Sequence, residues 1–361
     1  MYRSNQSKIY YFLSYDKHIQ FMQRCLSLAK KALGNTYPNP MVGAVIVNNN
    51  NIIGEGWHKK AGTPHAEVNA INMVQDQSLL PLSTLYVNLE PCSHTGKTPP
   101  CADLIIKHGI KKVVIASKDP NPLVAGKGIS KLKEAGVEVI EDVLKEEAEF
   151  LNRRFYTFHL KKRPYLILKW AQTQDGFIAP LNKKETAVFW ISSSLSKQKV
   201  HQWRSEEAGI LVGVQTIIND DPYLTTREWP GNNPLRIILD PNNRVTEKAK
   251  VLCDDFPTLI ANKFLSNRKL KKNKEELLLQ PFNLQKLMKE CHQKDISSIL
   301  VEGGQKTLQF FIDQDLWDEA RVFTSNKKLI KGIKAPEFLV KQNEETQIRN
   351  DSLKIYFRES F

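Results

Sequence analysis

A histidine, a glutamate and two cysteines in the first third of the chain have the types and order of a metal centre. His65-Ala66-Glu67 follows Thr63-Pro64, Pro91-Cys92 follows the apolar run Leu85 to Leu89, and Cys101 comes next. One imidazole and two thiolates make a three-ligand zinc site, and three protein ligands leave the fourth position of a tetrahedral ion to water, as in catalytic zinc centres. Zinc lowers the pKa of bound water from about 15.7 to near 7, which supplies hydroxide at neutral pH. Cysteines that open helices are readily held as thiolates, because a helix N-terminus favours negative charge. A carboxylate two residues after the histidine cannot share its helical face, so Glu67 is suited to water and substrate rather than to the metal. It reads as the catalytic proton shuttle.

H-x-E followed by P-C is the pattern of zinc nucleobase deaminases, in which hydroxide attacks the amine-bearing ring carbon while the glutamate moves protons to the ring nitrogen and the departing ammonia. Taken singly the residues have commoner uses, a histidine in a cap or core and a cysteine as a small buried hydrophobe. Their order carries the reading. The long insert between the cysteines, Ser93 to Pro100, departs from the two residues of the plain pattern.

The positioning elements follow from apolar period and punctuation. Asp16 is placed to cap a helix whose apolar positions Ile19, Met22, Cys25, Leu26, Ala29 and Leu33 recur at the helical period, with Gly34 as terminator. Met41 to Val47 and Ile52 to Trp57 read as strands of a hairpin around the polar Asn48 to Asn51. Patterns then alternate: His65 to Met73 helical, Thr84 to Leu89 extended, Cys101 to His108 helical, Lys112 to Ala116 extended, Ile129 to Glu134 helical, Val137 to Ile140 extended. That alternation predicts an α/β domain with helices covering a mixed sheet. Glu141 to Lys162 is helix-prone and Arg163-Pro164 stops it. The division is therefore a first domain over 1–147, a linker helix over 148–162 and a second domain over 163–361.

In the second domain the extended runs are Tyr165 to Ala171, Gly209 to Val214, Leu235 to Leu239, Thr258 to Asn262 and Ser298 to Val301. Helical patterns cover Ser194 to Arg204, Leu284 to Cys291 and Leu308 to Asp313, so this domain is α/β as well. Asp175-Gly176 reads as a hairpin turn before Phe177-Ile178, and the lysine-rich Asn267 to Leu279 as a solvated connector. Val301-Glu302-Gly303-Gly304 ends a strand and precedes a helix, so bare backbone amides can approach a phosphate there. No G-x-G-x-x-G is present.

A length of 361 residues exceeds one ordinary core, and 41% hydrophobic with 25% charged residues is ordinary for a soluble chain. No apolar run reaches the roughly 18 residues that span a bilayer. Five cysteines, Cys25, Cys92, Cys101, Cys253 and Cys291, are too few and odd in number for a disulfide framework and point to a reducing cytoplasm. The net charge of +13 is spread over both halves rather than gathered in a patch, so neither nucleic acid nor a membrane is the expected partner.

The runs Pro38-Asn39-Pro40-Met41-Val42-Gly43, Gly54-Glu55-Gly56-Trp57-His58, His65-Ala66-Glu67-Val68, Leu89-Glu90-Pro91-Cys92 through Cys101, and Asp119-Pro120-Asn121-Pro122 with Gly126-Lys127-Gly128 closely resemble the bifunctional deaminase/reductase family of riboflavin biosynthesis. The long insert between the cysteines is characteristic of that family. The resemblance implies a cytidine deaminase-like α/β/α domain with His65, Cys92 and Cys101 on zinc, Glu67 catalytic, and Asn39, His58, His94 and Lys97 lining the pocket of a ribosylaminopyrimidine phosphate. Lys169-Trp170-Ala171, Trp190-Ile191-Ser192, Gly213 to Pro222, Arg236 to Asp240 and Glu302-Gly303-Gly304 look like the family's reductase half, which has a dihydrofolate reductase-like α/β fold. That half implies NADPH held by Ala171, Trp190, Thr216, Asp220, Gly304, Gln305, Lys306 and Thr307, with Arg204, Leu224, Arg227 and Glu302 meeting the substrate. Arginines suit a phosphorylated sugar because the planar guanidinium forks onto phosphate oxygens.

Two features depart from the family pattern: Glu185 to Phe189 lacks a Gly-Glu-Ser type run, and Gln305-Lys306 replaces the small or proline residues common after the two glycines. The reading is a two-domain cytoplasmic enzyme that deaminates the diaminopyrimidinone ribosyl phosphate with zinc, then reduces the ribosyl chain to ribityl with NADPH. Homo-oligomerisation is left open. Two rivals make different demands. A nucleic-acid deaminase needs aromatic and basic residues interleaved along a groove, and a zinc-stabilised binding module needs a fourth protein ligand and no Glu67.

Overall fold

The computed structural model describes residues 3–93, 99–122, 124–181 and 189–358, with side chains described from 16 onward. Among the described residues no helix is long and apolar enough to cross a membrane. The chain divides into two compact units, Met1–Lys161 and Lys162–Phe361.

The first unit opens with α1, Arg3–Lys30, so Asp16 lies inside the helix instead of capping it. No glycine or proline stands between residues 3 and 30 to stop the helix upstream of Asp16. Strands β1 (Gly43–Asn48) and β2 (Asn51–Trp57) form the expected hairpin, with Asn49 and Asn50 both at positive φ, the turn whose twist matches the strands. There follow α2 (Ala66–Met73), β3 (Thr84–Val87), α3 (Cys101–Lys107), β4 (Lys112–Ile115), α4 (Lys127–Glu134) and β5 (Glu138–Ile140). The sheet runs β2-β1-β3-β4-β5, antiparallel across the first three strands and parallel from β3 to β5.

Both faces of this sheet are covered. Ala44, Ile46, Leu85, Val87, Val113 and Ile115 point to the side of α2, α3 and α4, where they bury Ala70, Ile71, Ala102, Ile105 and Leu132. The alternate residues Val45, Val47, Tyr86 and Val114 meet Phe21, Met22, Cys25 and Leu28 of α1 on the other face. The period of two along the strands is thus the reason for a three-layer arrangement. In place of one linker helix over 148–162, two helices follow, α5 (Lys145–Leu151) and α6 (Arg153–Leu160). The break falls at Asn152, whose side chain takes the Met41 N–H at 2.8 Å and donates to the Met41 carbonyl at 2.9 Å. Ala148 is packed with α1, and Phe155 and Tyr156 with Leu89, so these helices belong to the core of the first unit.

The second unit contains β6 (Tyr165–Gln172), β7 (Phe177–Ala179), α7 (Ser194–Glu206), β8 (Gly209–Gly213), α8 (Val214–Asp220), β9 (Leu235–Leu239), α9 (Lys250–Cys253) and β10 (Thr258–Asn262). It continues with β11 (Lys274–Leu278), α10 (Leu284–Gln293), β12 (Ser298–Gly303), α11 (Gln305–Asp313), β13 (Glu319–Ser325), β14 (Ile333–Lys334), β15 (Glu344–Ile348) and β16 (Asp351–Phe357). The main sheet has the order β11-β10-β9-β8-β12-β6-β13-β16-β15. It is parallel from β11 to β13 and antiparallel over its last two pairings.

One expectation is corrected here. The segment Asn267 to Leu279 is not a plain connector: it contains β11, parallel to β10. Its apolar signal is short because β11 is an edge strand, with Leu277 and Leu279 buried and Lys274 paired to Asp254 at 3.2 Å. The Asp175-Gly176 hairpin turn forms as expected, with the Thr173 N–H donating to the Phe177 carbonyl and the Gly176 N–H to the Thr173 carbonyl, both at 2.9 Å, and beyond it β7 pairs with β14. The Asp175 carboxylate accepts the Leu329 and Ile330 N–H groups, which draws the β14 segment across.

Candidate active sites

In the first unit the metal-type residues come from three elements. His65 is the residue before α2, Cys92 follows β3, and Cys101 is the first residue of α3. Helix α2 reaches the sheet because Gly56 has no side chain: a Cβ there would lie 2.6 Å from the Ala70 nitrogen. The donor atoms of His65, Cys92 and Cys101 all lie within 4.8 Å of one another. His65 Nδ1 stands 3.6 Å from Cys92 Sγ and 3.3 Å from Cys101 Sγ. Ligands of a tetrahedral zinc are separated by roughly 3.3–3.8 Å, so the residues fit that ion. Among the described residues no fourth histidine, cysteine or carboxylate joins the group.

The electrostatics favour one thiolate of the pair: hydrogen bonding to Cys92 and burial push the Cys101 thiol up. The Cys101 N–H donates to Cys92 Sγ at 3.3 Å, and the Cys92 thiol is lowered to about 4 by hydrogen bonding from Cys101 against the cost of burial, with His65 helping. His65 is raised, chiefly by its partner Cys92. Glu67 is buried on the first turn of α2, and burial, with the Cys92 charge next, pushes its carboxyl up to about 7. That is the range in which one group both takes and gives a proton near neutrality.

Asn39 and His58 are brought to the same place. His58 Nδ1 donates to the Pro64 carbonyl at 3.2 Å, which leaves Nε2 to accept from Asn39 Nδ2 at 3.1 Å. The His58 ring stands edge-on to His65 with centroids 5.4 Å apart. Two buried asparagines that sequence reasoning passed over secure the neighbouring loop: Asn88 accepts from Gly43 N–H and donates to the Met41 carbonyl, and Asn152 bonds Met41 from the other side. For Asn88, its place between Val87 and Leu89 was the available signal; Asn152, between Leu151 and Arg153, carried none. His94 and Lys97 lie outside the described residues.

In the second unit Arg204, Leu224, Arg227 and Glu302 form one cluster. Arg204 donates Nε and Nη2 to the two Glu302 oxygens at 2.6 and 2.7 Å, and Nη1 to the Thr225 carbonyl at 3.1 Å. The fork expected to face a phosphate is therefore turned onto a carboxylate inside the protein. Arg227 is exposed and donates Nη1 to Thr225 Oγ1 at 2.9 Å, and its backbone N–H donates to His201 Nδ1 at 3.1 Å. Leu224 is buried at a positive φ of 55, which bends the chain between Tyr223 and Thr225.

Charges in this cluster are strongly coupled. Burial raises the Glu302 carboxyl, but the adjacent Arg204 charge and its hydrogen bonds prevail and hold it at about 2. Burial, then the Arg204 and Arg227 charges, lower His201 to about 4, so this histidine is neutral. Lys169 is lowered by burial, with Glu302 opposing. His201 and Lys169 stand in runs quoted above but were not singled out, because only the packing of β6, α7 and β12 brings them together.

Of the expected cofactor residues, Thr216, Gly304 and Thr307 meet where β8 and β12 end. A Cβ on Gly304 would meet Thr216 Oγ1 at 3.2 Å, and one on Gly213 would lie 2.2 Å from Thr307 Oγ1. Gly304 caps α11, whose first residues are Gln305 and Lys306. This bare backbone at a helix N-terminus is the kind of cradle a phosphate-bearing cofactor fills. Ala171 is the next-to-last residue of β6 and Asp220 the last of α8. Trp190 is half exposed, with Lys197 Nζ 4.5 Å above its ring. Residues 182–188, which include most of the departure before Trp190, lie outside the described residues.

Comparisons with known proteins agree with both halves. Residues 15–117 match the cytidine and deoxycytidylate deaminase zinc-binding region, and residues 164–348 match the RibD C-terminal domain. Riboflavin biosynthesis protein RibD of Aquifex aeolicus is 45% identical over 332 residues, covering 90% of this chain and 92% of that protein. The Escherichia coli protein of the same name is 36% identical, covering 86% of this chain and 88% of its own length. Among solved structures, the deaminase/reductase of Thermotoga maritima superposes with a TM-score of 0.86 at 38% identity, over 95% of this chain and 99% of that one. RibD of Acinetobacter baumannii gives 0.85 at 32% identity, with the same coverage. The chain belongs to the RibD family, bifunctional enzymes of riboflavin biosynthesis in which a zinc-binding deaminase domain is joined to a reductase domain.

Proposed function

We propose that the first unit deaminates a diaminopyrimidinone ribosyl phosphate and that the second reduces the ribosyl chain of the product to ribityl with NADPH. The observation that carries the deaminase assignment is the group His65, Cys92 and Cys101, whose donor atoms lie within 4.8 Å of one another beside the buried carboxylate of Glu67. His65, Cys92 and Cys101 hold zinc, which when bound supplies an acidified water, its pKa near 7. Glu67 takes a proton from the attacking water and passes it to the ring nitrogen, then takes the proton of the newly added hydroxyl as the carbonyl forms and gives it to the departing amine, which leaves as ammonia. Its carboxyl near 7 suits both directions of transfer. Asn39 and His58 orient the substrate, with the tautomer of His58 set by Pro64. The same pocket role is proposed for His94 and Lys97.

In the second unit Thr216, Asp220, Gly304, Gln305, Lys306 and Thr307, with Ala171 and Trp190, hold NADPH, which supplies the hydride. The two glycines and the start of α11 support this placement. Arg227, exposed and steadied by His201 and Thr225, binds the sugar phosphate. Arg204 holds Glu302 and the Thr225 carbonyl in place beside it, and Leu224 closes the wall. Mass spectrometry of the pyrimidine product tests the whole reading. Without NADPH the amine alone is exchanged for a carbonyl, and with NADPH two hydrogens are then gained. Reduction before deamination, or either step on a free nucleoside at equal rate, overturns it.

A further inference from the structure

Cys92 stands outside any helix or strand, so the backbone that aims its sulfur must be held from elsewhere. The two residues before it are held firmly. Glu90 is buried, and each of its oxygens accepts two backbone N–H groups. Oε2 takes Asp119 at 3.2 Å and Gly126 at 2.9 Å, and Oε1 takes Gly128 at 2.9 Å and Ile129 at 3.2 Å. Gly126 caps α4, and Gly128 and Ile129 are its second and third residues. Three of the four donors are thus amides that a helix leaves unpaired at its start, and the fourth, Asp119, belongs to the loop before α4. A carboxylate from the segment after β3 caps α4 from outside, where the helix dipole favours negative charge. Pro91 is gripped on the same side. A Cβ on Gly128 would lie 2.0 Å from the Pro91 oxygen, an approach open only to glycine.

We propose that Glu90 is a positioning residue for the metal: by locking the first turn of α4 beneath Pro91, it sets the direction of Cys92 Sγ and with it the metal affinity of the site. The inference rests on reading Cys92 as a metal ligand. Glutamine has the same shape but one acceptor oxygen, so it satisfies one pair of amides and turns its own NH₂ toward the other pair. Aspartate is one methylene short of spanning both pairs. The loop Asp119 to Ile129, which contributes no ligand, thereby becomes part of the metal centre.

The test compares the full-length wild type with Glu90→Gln and Gly128→Ala. Three readouts are taken: zinc stoichiometry by mass spectrometry, transfer of zinc to a chromogenic chelator, and the visible spectrum after replacement by Co(II). Both variants are expected to bind zinc about 10–100-fold more weakly and to shift the Co(II)–thiolate bands, with NADPH oxidation by the second unit unchanged. A lowered melting temperature with wild-type chelator transfer and Co(II) spectrum would mean that Glu90 serves only the fold, and overturns the proposal. If neither variant folds, hydrogen exchange on the wild type decides: stripping zinc should raise deuterium uptake over residues 119–129, because coupling is reciprocal. Unchanged uptake there also overturns it. A wild type that holds no zinc at all removes the reading of Cys92 instead, and is seen in the first measurement.

Discussion

Arg204 meets Glu302 through two hydrogen bonds, Nε to one carboxylate oxygen at 2.6 Å and Nη2 to the other at 2.7 Å, with both side chains nearly withdrawn from solvent. The pair joins α7 to the end of β12 and sits beside the loop that carries Leu224 and Arg227. A paired charge of this kind is costly to break singly, because the surviving partner stays buried without compensation.

Glu302 is held at about 2 against an ordinary 4.5. A carboxylate lowered in the folded state contributes its full stabilisation above its unfolded value and loses it as pH falls through the folded value. The second unit is therefore expected to lose stability between about pH 4.5 and pH 2. Glu302→Gln should flatten that dependence while costing about 3–5 kcal/mol at neutral pH. Urea unfolding at pH 7, 4 and 3 checks this, and parallel pH dependences for wild type and variant would contradict it.

His201→Phe removes the acceptor for the Arg227 backbone N–H. One lost hydrogen bond of about 1–2 kcal/mol predicts a rise in KM for the phosphorylated substrate of roughly 5–30-fold, with kcat for reduction less affected. Steady-state kinetics with the deaminated intermediate measure it. A fall in kcat at constant KM would place His201 in the chemical step.

Cys92→Ser and Cys101→Ser should each lose most of about one zinc per chain, since two ligands no longer close a site. Full retention in both variants would remove these residues from the ligand set.

Glu67→Gln is expected to retain zinc and lose deamination by more than tenfold, because the amide cannot carry protons between water, ring and ammonia. Deamination within tenfold of wild type would assign the shuttle to another group.

A fragment from Lys162 to Phe361 should fold and oxidise NADPH when given the deaminated ribosylaminouracil phosphate, since that unit has its own sheet and its own buried clusters. A folded fragment inert with that substrate would refute the assignment of the second unit.

The types and order of His65, Glu67, Cys92 and Cys101 were enough to name the chemistry, because metal ligands and proton carriers are a small chemical vocabulary and their helical or strand setting is a local property. The alternation that buries Ala44 and Ile46 on one face and Val45 and Val47 on the other was equally legible, as was the hairpin turn at Asn49 and Asn50. Other features depend on partners far along the chain. The break at Asn152 exists because Met41 needs its side chain, and β11 is a strand because β10 offers it a ladder. Arg204 faces Glu302 rather than phosphate because α7 packs beside β12, and Glu90 binds four amides of a loop that begins 29 residues later. Local propensity and spacing specify which groups are present. Only tertiary packing decides which of them an internal partner satisfies and which stay free for a ligand.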